Sequence, residues 1–137
     1  MTRHLPALLL LLLPAASLAS AATIEVRVSN AAGGKGTANV AVCDKERFLK
    51  QCAYSASVPA QAGETVVLIE GVPPGTWAVL AYQDENGNKE LDRNVIGIPK
   101  ENYGFSRDAK GAFGPPSFEA AAIQVDGERA VAAIRLH

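Results

Sequence analysis

Four oxygen-bearing side chains recur within one short stretch. They are Asp84, Asn86, Asn88 and Asp92, in the run Asp84-Glu85-Asn86-Gly87-Asn88-Lys89-Glu90-Leu91-Asp92. Hard divalent cations, calcium above all, need several oxygens converging from a tight turn, and this spacing can supply them. The chemistry expected is therefore cation binding.

Measured against a helix-loop-helix calcium site, Asp84, Asn86, Asn88 and Asp92 take the first, third, fifth and ninth positions. Glu90 would add its backbone carbonyl at the seventh. Two positions depart from that template. The sixth, normally glycine for a sharp turn, is Lys89, and the twelfth, normally a bidentate glutamate, is Val95. Further oxygens would have to come from Asn94, Glu101 or water. With so few carboxylates the affinity expected is in the ~10⁻⁴–10⁻³ M range of extracellular modules. Magnesium is a lesser alternative occupant. The competing reading is a bare turn, because Asn86-Gly87 is a preferred hairpin dipeptide and its charged neighbours would merely solvate it. A plain hairpin, however, does not require oxygens at every second position.

Other chemistry is scarce. Apart from His4 near the start, the one histidine is His137, so neither a His-rich metal centre nor a nucleophile–histidine pair is expected. No glycine-rich phosphate loop occurs. A carboxylate-based hydrolase is the one enzymatic alternative, and a chain this short has little room for an enclosing cleft. The expectation is a non-enzymatic binding or structural module, with a metal-free structural or partner-binding module as the runner-up.

The elements that must carry the loop are strands. Before them, Leu5 to Leu13 is an apolar run, and Ala19-Ser20-Ala21 fits a signal-peptidase site. Residues 1–21 thus read as a signal peptide cleaved after Ala21 or Ala19, and 22–137 as one domain of about 115 residues. The apolar run is shorter than the ~20 residues of a membrane span. A periplasmic or secreted protein with no membrane span after cleavage is expected. The chain has 13 basic and 14 acidic residues, which gives no electrostatic case for nucleic acid. In an oxidising compartment, Cys43 and Cys52 are most simply a disulfide closing the loop Asp44 to Gln51.

Period-two alternation dominates. Ile24, Val26 and Val28 mark a first strand, and Thr37 to Cys43 a second. Asp44 to Ala53 could hold one helical turn before an extended stretch from Tyr54 to Val58. Thr65 to Ile69, a continuous apolar and β-branched run, predicts a strand buried on both faces. Thr76 to Tyr82 follows the Pro73-Pro74-Gly75 turn. Ser117 to Val125 and Ala130 to Leu136 read as a hairpin around Asp126-Gly127. The fold expected is all-β, a single antiparallel β-sandwich of about seven strands, immunoglobulin- or transthyretin-like.

Segment 83–116 is too long for a structureless connection in so small a domain. Its aromatics, glycines and prolines suggest an ordered excursion that packs on itself. Tyr103, Phe105 and Phe113, with Phe118, read either as a satellite core or as an exposed surface for a partner. Ser106-Arg107-Asp108 reads as a polar loop.

Four runs in order carry a resemblance. They are Pro73-Pro74-Gly75-Thr76-Trp77-Ala78-Val79, the Asp84–Asp92 stretch, Gly97-Ile98-Pro99-Lys100-Glu101-Asn102-Tyr103-Gly104-Phe105-Ser106, and Phe113-Gly114-Pro115-Pro116-Ser117-Phe118. Together they resemble the DUF2141 family, small exported bacterial proteins of unknown function. The first run is also similar, more distantly, to transthyretin-like and carboxypeptidase-regulatory-like sandwiches. The resemblance implies an exported β-sandwich without an established activity. The partner expected is an envelope protein or glycan, met by a monomer.

Overall fold

The computed structural model describes Pro14 and residues 21–137; the signal peptide expected over 1–21 lies almost wholly outside the described residues. Two sheets pack face to face; the second is antiparallel, and the first joins one antiparallel and one parallel pair. The first has the order β4-β1-β8, from β4 (Gly63–Val72), β1 (Ala22–Ala31) and β8 (Arg129–Arg135). The second runs β3-β2-β5-β6, from β3 (Tyr54–Pro59), β2 (Thr37–Cys43), β5 (Gly75–Asp84) and β6 (Tyr103–Phe105). A further strand, β7 (Ala122–Val125), pairs with Gly75–Ala78 of β5, while β6 pairs with Leu80–Tyr82.

The core follows from the alternation. Ile24, Val26 and Val28 of β1 point inward, as do Val67 and Ile69 of β4 and Ala132 and Ile134 of β8. Val40 and Val42 of β2 and Val79 and Ala81 of β5 meet them from the opposite sheet. β-branched side chains suit this half-buried pleated surface. Trp77 packs against the same core and donates its indole N–H to the Pro73 carbonyl (2.9 Å).

Three sequence expectations are corrected. Thr65–Ile69 is buried on one face only, with Val66 and Leu68 45% and 48% exposed, because among the described residues nothing covers the outer side of the first sheet there. Asp126-Gly127 does not close a hairpin. β7 pairs with β5 in the second sheet, and β8 crosses over to lie parallel to β1 in the first. A connection between layers has the same turn residues as a hairpin, so the dipeptide cannot distinguish them. Finally, Ser117 to Ala121 is not strand: Phe118–Ala121 is one helical turn, α1, capped by the Ser117 hydroxyl, which accepts the Ala120 N–H (3.2 Å).

The two layers are stitched at one edge. Beyond β8, His137 and Tyr103 exchange backbone hydrogen bonds (3.0 and 3.2 Å). Gly104 allows this close approach, since a Cβ there would lie 2.4 Å from the Arg135 carbonyl oxygen.

Candidate functional site

The second sheet has an inner face in the core and an outer face that the chain covers at both ends. Side chains alternate, so Asn39 and Ala41 of β2 and Ala78, Leu80, Tyr82 and Asp84 of β5 all point outward. At one end, Ala78, Phe105, Phe118 and Ala121 form a second apolar cluster, joined by Phe48, Leu80 and Tyr103. Phe48 meets Phe105 and Phe118 edge-on, with ring centroids 6.0 and 5.8 Å apart. Phe105 is 6% exposed and packs within this cluster, and Tyr103 is half-buried. Phe113, by contrast, is fully exposed, so the aromatic set divides between the two readings.

Ser106 completes this end. It is fully buried, accepts the Val79 N–H (3.0 Å) and donates to the Ala121 carbonyl, so it joins β5 to α1. It is an internal connector, not part of a polar loop, and it opens a short 3-10 turn, Ser106–Asp108.

At the other end lies the Asp84 loop. Asp84 is 1% exposed; its Oδ1 accepts the Gly87 N–H (2.9 Å) and its Oδ2 the Lys89 N–H (2.7 Å). The Asn39 amide also donates to Asp84 Oδ2 (3.3 Å) and to the Tyr82 hydroxyl (3.0 Å). The Asn39 carbonyl oxygen in turn accepts the hydroxyls of Thr37 and Ser57. A carboxylate this deep requires such donors, because a buried unpaired charge is costly. Among the described residues no buried side-chain polar atom lacks a partner.

Asp92 closes the loop from the far side. Both its carboxylate oxygens accept side-chain amides, one from Asn86 and the other from Asn88 (2.6 Å). The carbonyl oxygens of Asn86 and Asn88 accept the N–H groups of Asn88 (3.2 Å) and Glu90 (3.0 Å). Glu101 bridges the two ends, its carboxylate accepting the N–H groups of Glu85 (2.8 Å) and Asp92 (2.9 Å). The structure thus brings Asp84, Asn86, Asn88 and Asp92 into one hydrogen-bonded loop. Asn94, the other expected oxygen source, turns away; its oxygen accepts the N–H groups of Ile96 (3.1 Å) and Ile98 (3.0 Å).

Backbone conformation adds a second feature. Lys89 has φ 61°, the left-handed region, at the position where the calcium-loop template has glycine. For a residue with a Cβ this costs roughly 1–2 kcal/mol. The bond from its N–H to buried Asp84 holds it there. Gly36 lets the β1–β2 turn approach the loop, since a Cβ would come 1.9 Å from the Asp84 carbonyl oxygen. Buried Gln83 fixes that turn, accepting the Ala32 N–H (2.8 Å) and donating to the carbonyls of Ala32 and Lys35 (both 2.7 Å). Among the described residues no group of three or more His, Cys, Asp or Glu is placed to hold a metal. A cation site here would therefore draw on the asparagine oxygens, with their amides turned over.

Between the apolar end and the loop lies an open cleft of about 1070 Å³. Asn39, Tyr82 and Leu80 form part of its floor. One bank is the Asp44–Gln51 loop, with Leu49 and Lys50, closed by the disulfide between Cys43 and Cys52. That loop is a series of turns in which Asp44 accepts the Arg47 N–H (2.9 Å). The other bank is the excursion, through Lys89, Arg93, Ile98 and Phe113. Burial of Tyr82, and then the nearby charges of Asp84, Glu101 and Glu90, raise its phenol above the ordinary tyrosine range, against the opposing effect of the Asn39 hydrogen bond.

Asn39, Ser57 and Tyr82 escaped the sequence reading. Their signal is the register of β2 with both neighbours, in which Asn39 faces Tyr82 on β5 and Ser57 on β3. That pairing is non-local, and alternation alone shows only that Asn39 lies opposite to Val40.

Among the described residues no helix is long and apolar enough to cross a membrane. No curated protein and no solved structure matches the chain, so the distant likeness to transthyretin-like sandwiches is not confirmed. A family model described as an uncharacterized protein conserved in bacteria matches residues 26–132. The eight strands, the loop and the cleft all lie within or against that span, and the chain belongs to the DUF2141 family.

Proposed function

We propose that this chain is an exported, non-enzymatic binding module, periplasmic or secreted, in which the 84–92 loop takes a calcium ion and thereby sets one bank of the cleft. The carrying observation is the convergence of Asp84, Asn86, Asn88 and Asp92 on one loop with Lys89 left-handed at its sixth position. Calcium would replace the Asn86 and Asn88 amides as the partner of Asp92. It would also offset the mutual repulsion of Asp84 and Asp92, with Glu90 offering a backbone carbonyl. The partner bound through the excursion would be an envelope protein or a glycan, met by a monomer.

A second reading has its own support. Asp84 already accepts three N–H donors, so the loop can stand as a metal-free hydrogen-bonded cap. Thermal unfolding in EDTA and across ~0.1–10 mM calcium separates the two, because a ligand that binds only the native state raises Tm by mass action. The calcium reading expects a saturable rise that magnesium does not match and that the Asp84→Ala, Asp92→Ala double variant loses. An unchanged wild-type Tm leaves the metal-free cap.

A further inference from the structure

We infer that the cleft on the outer face of the second sheet binds a single-chain anionic amphiphile, such as a medium-chain fatty carboxylate. The inference rests on the excursion being a binding surface, but not on calcium.

Size is the first argument. At about 1070 Å³ the cleft lies at the upper end of the range of small-molecule sites, roughly 300–1,000 Å³. An elongated ligand would use it better than a compact one. The second argument is the lining. Leu80 and Phe105 contribute from the sheet, Leu49 from the disulfide-closed bank, and Ile98 and Phe113 from the excursion. Leu49, Ile98 and Phe113 are exposed although large and apolar, and all three line this cleft from its two banks.

The third argument concerns what the polar groups can still do. Asn39, the central amide of the floor, is fully engaged with Thr37, Ser57, Tyr82 and Asp84. Tyr82 accepts from Asn39, which leaves its own O–H free to donate into the cleft. A sugar needs many free donors and acceptors, and this floor offers few. Charge supplies the last argument. Lys50, Lys89 and Arg93 line the cleft against the single carboxylate of Glu90. None of the three cations forms an ion pair among the described residues, and Lys50 sits on the opposite bank from the other two. An apolar trough with cations on both banks complements a chain that ends in an anion.

The test is calorimetric titration of the mature protein with dodecanoate, kept dilute enough to exclude micelles and calcium salts. Dodecyltrimethylammonium, with the same chain and the opposite charge, is the comparator. Titrations run in EDTA and in calcium, so the cleft is judged apart from the loop, whose own readout is the calcium effect on Tm. Saturable one-to-one dodecanoate binding in either buffer, at least about tenfold tighter than the cationic amphiphile, supports the inference. Lys50→Glu, outside the cation loop, should erase that preference, and Phe113→Ser should weaken both ligands. Because both residues are exposed, unchanged unfolding curves will show that the variants still fold. Dodecanoate binding in neither buffer, equal affinity for the two head groups, or binding unaltered in both variants would overturn it.

Discussion

The two faces of the second sheet are built on different physics. Its inner face meets the first sheet through Val40, Val42, Val79 and Ala81, and burial of apolar surface holds it. Its outer face is held by side chains bonding to backbone: Asp84 to Gly87 and Lys89, Glu101 to Glu85 and Asp92, Asn94 to Ile96 and Ile98. The Phe105–Phe118 cluster, buried Ser106 and the disulfide fasten it more firmly. Segments with few buried apolar contacts open locally at low free energy, and binding sites tend to use them. One sheet thus carries a fixed face and an adjustable one.

The sharpest way to break this contrast is to cut into the fixed face. Ile134, buried at the centre of the core, should cost about 2–5 kcal/mol when changed to alanine, read by urea unfolding, with every strand affected together. A loss below about 1 kcal/mol would mean that the two layers are not held by this packing. Next, replacing Cys43 and Cys52 by serine should cost roughly 2–3 kcal/mol in the chain-entropy model, measured the same way. If stability is unchanged, the bank that carries Leu49 and Lys50 is held by its turns alone.

A smaller effect follows from Tyr82. Its folded pKa lies above the ordinary 10.0, so the neutral phenol is favoured in the native state. The associated stability is complete below about pH 10 and is lost as pH rises through the folded pKa. Ultraviolet titration should find a late tyrosine step, and Tyr82→Phe should remove it. Calcium at the loop would offset the charges of Asp84 and Glu90 and bring the step back toward the usual value. A late step indifferent to calcium would leave burial as its cause and separate the phenol from the loop.

The sequence made most of the fixed face legible, because alternation in β1, β2 and β5 is a local signal read without knowing partners. The run from Thr65 to Ile69 misled, since β-branched residues also occupy exposed positions such as Val66. The parallel partnership of β8 with β1 was invisible for a different reason: strand order depends on contacts between the two ends of the domain. On the adjustable face, side-chain spacing singled out the Asp84 loop, whereas Glu101, expected only as a further cation oxygen, accepts the Glu85 and Asp92 N–H groups. The cleft was not foreseen. Its floor depends on Asn39 meeting Tyr82 across two strands, and its length on β6, a three-residue strand too short for a periodic signal.

The most direct measurement is amide hydrogen exchange, residue by residue, in EDTA and in about 10 mM calcium, for which ~10⁻⁴–10⁻³ M affinity implies roughly tenfold to hundredfold slower opening. The prediction is that slowing of local opening is confined to the adjustable face, with the Gly87 and Lys89 N–H groups leading, while Val26 of β1 slows only as far as calcium suppresses global unfolding. Identical exchange of Gly87 and Lys89 in the two buffers would contradict a calcium-set bank and leave the loop as a cap closed by its own hydrogen bonds.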